Sequence, residues 1–370
     1  MNTGIGSRRQ RSSTPANHRI ARTGRMLAHR RGGGYKTGAN RSAAGDGEEK
    51  RPRHRAGCVV FGNVGGEKRI MMRRSVLIGA GWCVVCVGAR GQDRDFSQVE
   101  IKPELVRDGV YMLTGAGGNI GLSVGSDGAF MIDDQFAPLT DKIAAAVAKL
   151  STEPVKFLIN THWHFDHTGG NENFGKAGAI IVAHENVRKA MSSDQFLEAF
   201  KQRVPASPPK ALPVVTFAES LTFHWNGDEI RVLHVSPAHT DGDSVIHFKR
   251  ANVVHTGDIY FNGMYPFIDT DHGGSLEGMI GAADRVLALC AEDTKIIPGH
   301  GPLSGVAELK AYRAMLIAAR DAIAPLVKAG KSREEIVAAK PTRDLDAKWG
   351  QGFMQPDVWV GIVVDGMKKR

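Results

Sequence analysis

Thr161-His162-Trp163-His164-Phe165-Asp166-His167-Thr168-Gly169-Gly170 crowds four metal-capable side chains, His162, His164, Asp166 and His167, into one short loop. Val155 to Asn160 just before it is mostly apolar and reads as a short strand, so the loop belongs at a strand's C-terminal edge. Imidazole and carboxylate suit zinc or iron, and ligands this closely spaced suit two metals better than one. The competing reading is a solvated polar turn with chance histidines. A dense ligand motif held between a strand and a Gly-Gly turn is the context that argues against it.

Working outward, Leu105 to Leu113 and Ile120 to Asp133 read as strands broken by Gly-rich and Ser-Asp-Gly turns. Leu139 to Leu150 has helical spacing, with Pro154 beyond it. After the loop, the pattern predicts a strand over Ala179 to Ala183, a helix over about Glu185 to Arg203 and a Pro-rich crossing from Pro205 to Pro213. Strands follow at Leu221 to Trp225, Glu229 to Val235, Ser244 to Lys249 and Asn252 to His255. A helix over Leu276 to Cys290, a strand over Lys295 to Pro298 and a long helix over Val306 to Ala329 complete this rhythm. The tail from Ser332 predicts two short helices, with Trp349, Phe353 and Trp359 packing back on the body. Two groups of hairpin-linked strands, each followed by helices, imply an α/β protein in which two sheets pack together with helices outside.

Three other loops carry a ligand-capable residue beside Pro or Gly at a predicted strand end: His239 in Ser236-Pro237-Ala238-His239-Thr240, Asp258 in Thr256-Gly257-Asp258 and His300 in Pro298-Gly299-His300-Gly301. With Asp133 at an earlier strand end, these motifs, in this order, resemble those of the metallo-β-lactamase-fold hydrolases. The resemblance covers about Leu105 to Ala329 and implies a four-layer αββα sandwich. It further implies that His162, His164 and His239 hold one metal, that Asp166, His167 and His300 hold a second, and that Asp258 bridges them. Two Zn2+ per chain are the expected cofactors, with iron as the alternative. Two such ions share a water, lower its pKa and present hydroxide to a carbonyl carbon or phosphorus, with Asp166 orienting it. Asp133 falls outside the ligand set and is expected to fix the ring of a ligating histidine, a plain turn aspartate being the alternative.

Other residues take plainer readings. His184, His224, His234, His247, His255 and His272 lack companion ligands and read as structural histidines. Trp163 and Phe165 read as packing under the loop, and Asp241 and Asp243 as flanks of a tight turn. The irregular aromatic stretch Tyr260 to Asp269 makes Tyr260, Asn262 and Tyr265 candidate pocket residues, with simple loop packing as the alternative.

Within the resemblance, class B1 and B2 β-lactamases differ at the bridging position, where Cys stands in place of Asp258, and class B3 enzymes lack the bridging Asp. An Asp there is more similar to glyoxalase II-type thioesterases, lactonases and broad hydrolases. The expected reaction is opening of an ester, lactone, thioester or amide bond. A metallo-β-lactamase proper, or a sulfur dioxygenase holding one iron on His162, His164 and His239, are the alternatives.

Charge separates the chain into unlike parts. Residues 1–74 hold 18 Lys and Arg against 4 Asp and Glu, leaving 30 against 35 for residues 75–370. The overall +9 is therefore an N-terminal property, and a nucleic-acid surface on the folded part is not indicated. Residues 1–70, rich in Arg, Gly, Ser and Ala, are expected to be disordered and are read as an over-extended translation ahead of a start at Met71 or Met72. Met-Met-Arg-Arg-Ser, an apolar run from Val76 to Val87 and Gly88-Ala89 make residues 71–89 a signal-peptide pattern, too short to span a bilayer comfortably. Cys83 and Cys86 lie inside that run, and Cys290 reads as a buried core thiol. The expected organisation is thus a basic segment (1–70), a signal peptide (71–89), a linker (90–104), a hydrolase domain (105–330) and a C-terminal helical extension (331–370). The expected product is a periplasmic or secreted enzyme of a small-molecule substrate, with no nucleic-acid partner and no stable membrane anchor after cleavage.

Overall fold

The computed structural model describes residues 95–235 and 237–369, so the basic segment and the signal-peptide pattern lie outside the described residues. One sheet contains β1 (Lys102–Arg107), β2 (Val110–Thr114), β3 (Ile120–Ser123), β4 (Ala129–Ile132), β5 (Val155–Ile159) and β6 (Ile180–His184). Its last strand, β9 (Val215–Phe217), follows a separate hairpin of β7 (Gln195–Leu197) and β8 (Gln202–Val204). The second sheet contains β10 (Ser220–Trp225), β11 (Asp228–His234), β12 (Ser244–Phe248), β13 (Val253–His255), β14 (Lys295–Ile297) and β15 (Ser304–Gly305), paired in that order.

Period-two side-chain alternation decides the layering. Phe130 and Ile132 of β4 meet Ile246 and Phe248 of β12 in one apolar core between the sheets. Ala129 and Met131 point the other way, against Ile143 and Val147 of α1 (Thr140–Ala148). On the far face of the second sheet, Val245, Val254 and Ile296 pack with α5 (Leu276–Leu289) and α6 (Val306–Lys328). The order is helices, sheet, sheet, helices: the αββα sandwich. Strands β4, β5, β6 and β9 are mutually parallel, as are β13 and β14, so the loops leaving them gather at one end of the sandwich.

Several expectations need correction. Leu105 to Leu113 is a hairpin turning at Asp108-Gly109, both in the left-handed region. Residues 95–101, expected as linker, are docked: Phe96, Val99 and Ile101 pack on the outer core of the first sheet, and Lys142 Nζ donates to the carbonyls of Phe96, Ser97 and Val99. After α2 (Phe165–Thr168) and α3 (Asn171–Lys176), the helix expected to reach Arg203 ends at Met191, as α4 (Glu185–Met191). Ser192 Oγ donates to the Arg188 carbonyl, and the Asp194 carboxylate accepts from Ala206 N, so short polar side chains turn the backbone into the β7–β8 hairpin. The tail forms three helices instead of two: α7 (Arg333–Ala338), α8 (Arg343–Trp349) and α9 (Pro356–Lys368). Trp349 and Trp359 are buried, but Phe353, between α8 and α9, is 54% exposed. No helix among the described residues is long and apolar enough to cross a membrane.

Candidate metal centre

The gathered loops bring seven side chains together. One group is His162, His164, His239 and Asp258; the other is Asp166, His167 and His300, and within each group the ligand atoms lie within 4.8 Å of one another. Asp258, at the end of β13, stands between the groups: its Oδ2 is 3.8 Å from His162 Nε2 and 3.5 Å from His239 Nε2, and its Oδ1 is 3.1 Å from His167 Nε2. His300, at the end of β14, is 3.4 Å from both Asp258 and Asp166.

Partners behind four of the rings decide which nitrogen faces inward. His239 Nδ1 donates to the Phe267 carbonyl at 2.8 Å, His164 Nε2 to Asp269 Oδ2 at 2.9 Å and His167 Nδ1 to Asp133 Oδ2 at 2.8 Å. The Thr161 hydroxyl donates to Asp133, so its oxygen accepts from His162 Nδ1 at 3.0 Å. A neutral ring that donates from one nitrogen leaves a lone pair on the other. Four rings therefore aim His162 Nε2, His164 Nδ1, His239 Nε2 and His167 Nε2 into the cluster. His164 Nδ1 and His239 Nε2 face each other at 2.9 Å, and His162 Nε2 is buried without a hydrogen-bond partner.

The electrostatics call for a cation. Burial, then the neighbouring His167, holds His162 well below the usual imidazole range, and burial brings His239 down to about 4. Burial works in the same direction at His300, but Asp258 and Asp166 outweigh it and push the ring up to about 9. Burial would raise Asp166, yet His167 and His300 hold its carboxyl at about 2. Buried lone pairs and carboxylates converge on the same volume, and a divalent metal is the group that satisfies both. The donor set fits zinc.

Asp133 sits in the left-handed region at φ 59°, at the end of β4, where a non-glycine residue is strained. That geometry lets its carboxylate accept from Thr161 N at 2.8 Å as well as from the Thr161 hydroxyl and His167. Asp243 is likewise more than a turn residue. Its buried carboxylate accepts from the backbone NH of His239 and of Thr240, and burial pushes it up to about 7.

Three supporting residues escape sequence reasoning. Asp269 accepts from His164 and, at 2.8 Å, from His272; burial opposes its ionisation, but these two rings prevail and keep it well below the usual range. Gly118 leaves room for the metal-facing ring, since a Cβ there would lie 2.0 Å from His167 Cε1. Asn119 Nδ2 donates to the carbonyls of Pro298 and Gly301, at 2.9 and 2.8 Å, on either side of His300. None has a spacing signal; only the Gly-rich character of the β2–β3 turn hints at close approach.

The candidate pocket residues do not line the site. Tyr260 is buried with its hydroxyl 2.8 Å from Ser304, Tyr265 is buried with its hydroxyl on Asp346, and Asn262 Nδ2 donates to the Pro302 carbonyl. Each aromatic body is drawn into the core under α6 or α9 while its polar tip finds a partner there. The cavity of about 360 Å³ that opens on His164, Asp166, Asp258 and His300 takes Phe267 from that stretch instead. Phe165 also lines it, while Trp163 is buried beneath the loop as expected. Of the histidines read as structural, none belongs to either ligand group among the described residues. Cys290 is half-buried, and its thiol donates to the Val286 carbonyl.

Residues 113–310 match the model of the metallo-beta-lactamase superfamily, and the chain belongs to that superfamily. A hydroxyacylglutathione hydrolase of Pelagibacter ubique is 26% identical over 148 residues, 40% of this chain and 52% of that protein. The acyl-coenzyme A thioesterase MBLAC2 of Bos taurus is 24% identical over 163 residues, 38% of this chain and 54% of that protein. Each match spans little more than half of the relative's length. A metallo-beta-lactamase from Pontibacter korlensis aligns at a TM-score of 0.49 with 20% identity, covering 59% of this chain and 99% of that one.

Proposed function

We propose that this chain is an exported hydrolase that holds two zinc ions and opens an ester, lactone, thioester or amide bond. The observation that carries the reading is the set of four rings whose outer hydrogen bonds turn their other nitrogens inward around Asp258. His162, His164 and His239 would hold one cation, and Asp166, His167 and His300 the other, with Asp258 between them. When bound, such a pair supplies an acidified water and a clamp for the charge that develops on a carbonyl oxygen.

The chain's own part is positioning. Asp166 lines the cavity, and as a ligand of a divalent cation its carboxyl would be ionised and able to accept a hydrogen bond. It therefore orients an attacking water better than it takes up that water's proton. His300 lies between Asp166 and Asp258 and lines the same cavity. The relatives named as hydroxyacylglutathione hydrolase and acyl-CoA thioesterase support acyl transfer to water as the reaction class. Export rests on the charged, apolar and small-residue pattern of residues 71–89. N-terminal sequencing of native protein tests it, cleavage near Ala89 being expected and an intact upstream segment refuting it.

Metal analysis of purified protein tests the reaction class. About two zinc ions per chain are expected, and a single iron per chain would overturn the proposal. His162→Ala should lower ester turnover by more than about a hundredfold, since loss of an outer partner alone typically costs 10–100-fold, while the circular dichroism spectrum stays native.

A further inference from the structure

The cavity beside the metal centre is walled by aromatic rings from five separate segments. Phe136 follows β4, Phe165 lies in the ligand loop, Phe200 tops the β7–β8 hairpin, Phe267 precedes α5 and Phe353 joins α8 to α9. Phe200 meets Phe267 with ring centroids 4.8 Å apart, and Phe353 lies 6.1 Å from the His300 ring. Phe200 and Phe353 are nonetheless 45% and 54% exposed, and large apolar side chains left in water from two unrelated elements at one cavity mark a binding rim. Away from the ligand residues, the polar side chain of the lining is Gln202, which is neutral.

Charge is as informative as shape. No Lys or Arg lines this cavity among the described residues. The cations of the adjoining groove sit in surface pairs: Lys201 pairs with Glu198, Lys369 with Asp271 and Arg333 with Asp365, and Lys368 Nζ donates to the Lys331 carbonyl. A carboxylate or phosphate at the far end of a substrate arm, away from the metal ligands, would lie in an apolar slot with no guanidinium or ammonium in its lining to meet it, and an unpaired anion is costly to desolvate.

We infer that this site takes uncharged carbonyl substrates bearing an apolar acyl or aryl arm, with Phe200 and Phe353 as the residues that select that arm. The inference rests on the hydrolase reading and narrows it. Substrates whose recognition depends on an anionic group, such as the carboxylate of a β-lactam or the phosphates of a coenzyme A thioester, are poor ones for this chain.

Two measurements on the zinc-loaded protein test this. The first is binding without turnover: calorimetric titration with hexanophenone and with 6-oxo-6-phenylhexanoate, the same ketone ending in a carboxylate. The neutral ketone is expected to bind at least about tenfold more tightly; equal or reversed affinities would overturn the inference. The second is hydrolysis of phenyl acetate, butyrate and hexanoate and of monophenyl adipate. We expect kcat/KM to rise about threefold to fourfold for each added methylene, and the adipate ester to fall below the hexanoate. Phe200→Ala and Phe353→Ala, both at exposed positions, should flatten the chain-length series through KM with kcat little changed. A slope retained in both variants would remove their selective role. If no ester is turned over while the neutral ketone still binds preferentially, the hydrolase reading fails and the pocket assignment stands.

Discussion

Asp269 shows how a single residue outside the ligand set can govern the centre. Its carboxylate accepts a hydrogen bond from His164 Nε2, which leaves Nδ1 to face the first metal group, and it also accepts from His272, whose Nε2 lies 3.1 Å from Gln195 Oε1 at the start of β7. Without that acceptor the His164 ring has no reason to keep either its tautomer or its angle. Asp269→Ala is therefore expected to weaken zinc binding at the first group by 10–100-fold, the usual cost of losing an outer partner. Competition against a chromophoric chelator reads this directly, and unchanged affinity would show that packing alone orients the ring. Asp133 has the same standing for His167, but it also anchors Thr161 N. Its loss should disturb both groups where Asp269→Ala disturbs one.

At the scale of elements, the centre depends on loops held from a distance. The turn between β2 and β3 in the first sheet reaches across to the loop after β14 in the second, where Asn119 N donates to Gly299 O at 2.7 Å and Asn119 Nδ2 reaches the Pro298 and Gly301 carbonyls. Asn119→Ala strands those two carbonyls and is expected to cost roughly 2–3 kcal/mol, at about 1–1.5 kcal/mol per lost hydrogen bond. A lowered urea midpoint at unchanged slope would register it, and a midpoint equal to the parent's would mean that the loop holds its shape alone. Such a tie joins residues about 180 positions apart, so no local pattern announces it. The ligands were legible for the opposite reason: each sits at the end of an apolar strand beside Gly or Pro, where composition changes within two or three residues. The β7–β8 hairpin was illegible because Gln195 to Arg203 has enough apolar residues to look helical, while the Ser-Ser-Asp turn that breaks the helix acts through side-chain hydrogen bonds. That miss displaced the expected pocket. Phe200 and Gln202 line the cavity from the hairpin, and Tyr260 and Tyr265, whose irregular aromatic stretch suggested a pocket wall, are core residues.

Over the whole molecule, each ligand group draws on both sheets. His162 and His164 leave β5 in the first sheet, while His239 and Asp258 follow β11 and β13 in the second; in the other group, Asp166 and His167 come from the first sheet and His300 from the second. In the core between the sheets the contacts are apolar and non-directional, centred on Phe130, Phe248 and their neighbours, so bound metal would add to the Asn119 hydrogen bonds a second directional tie at the loop end of the sandwich. A ligand that binds only the folded state stabilises it by mass action, about 2.7 kcal/mol at a free concentration one hundred times Kd. In a domain of this size each kcal/mol moves the midpoint by about 2–4 °C. Stripping the metal with a chelator at constant pH should therefore lower Tm by roughly 5–10 °C, and zinc should restore it. Because the tie spans both sheets, amide exchange should quicken in β4 and β5 and in β13 and β14 together. Faster exchange confined to the ligand loops, with Tm unmoved, would show that the sheets hold together without the metal and that the centre serves chemistry alone.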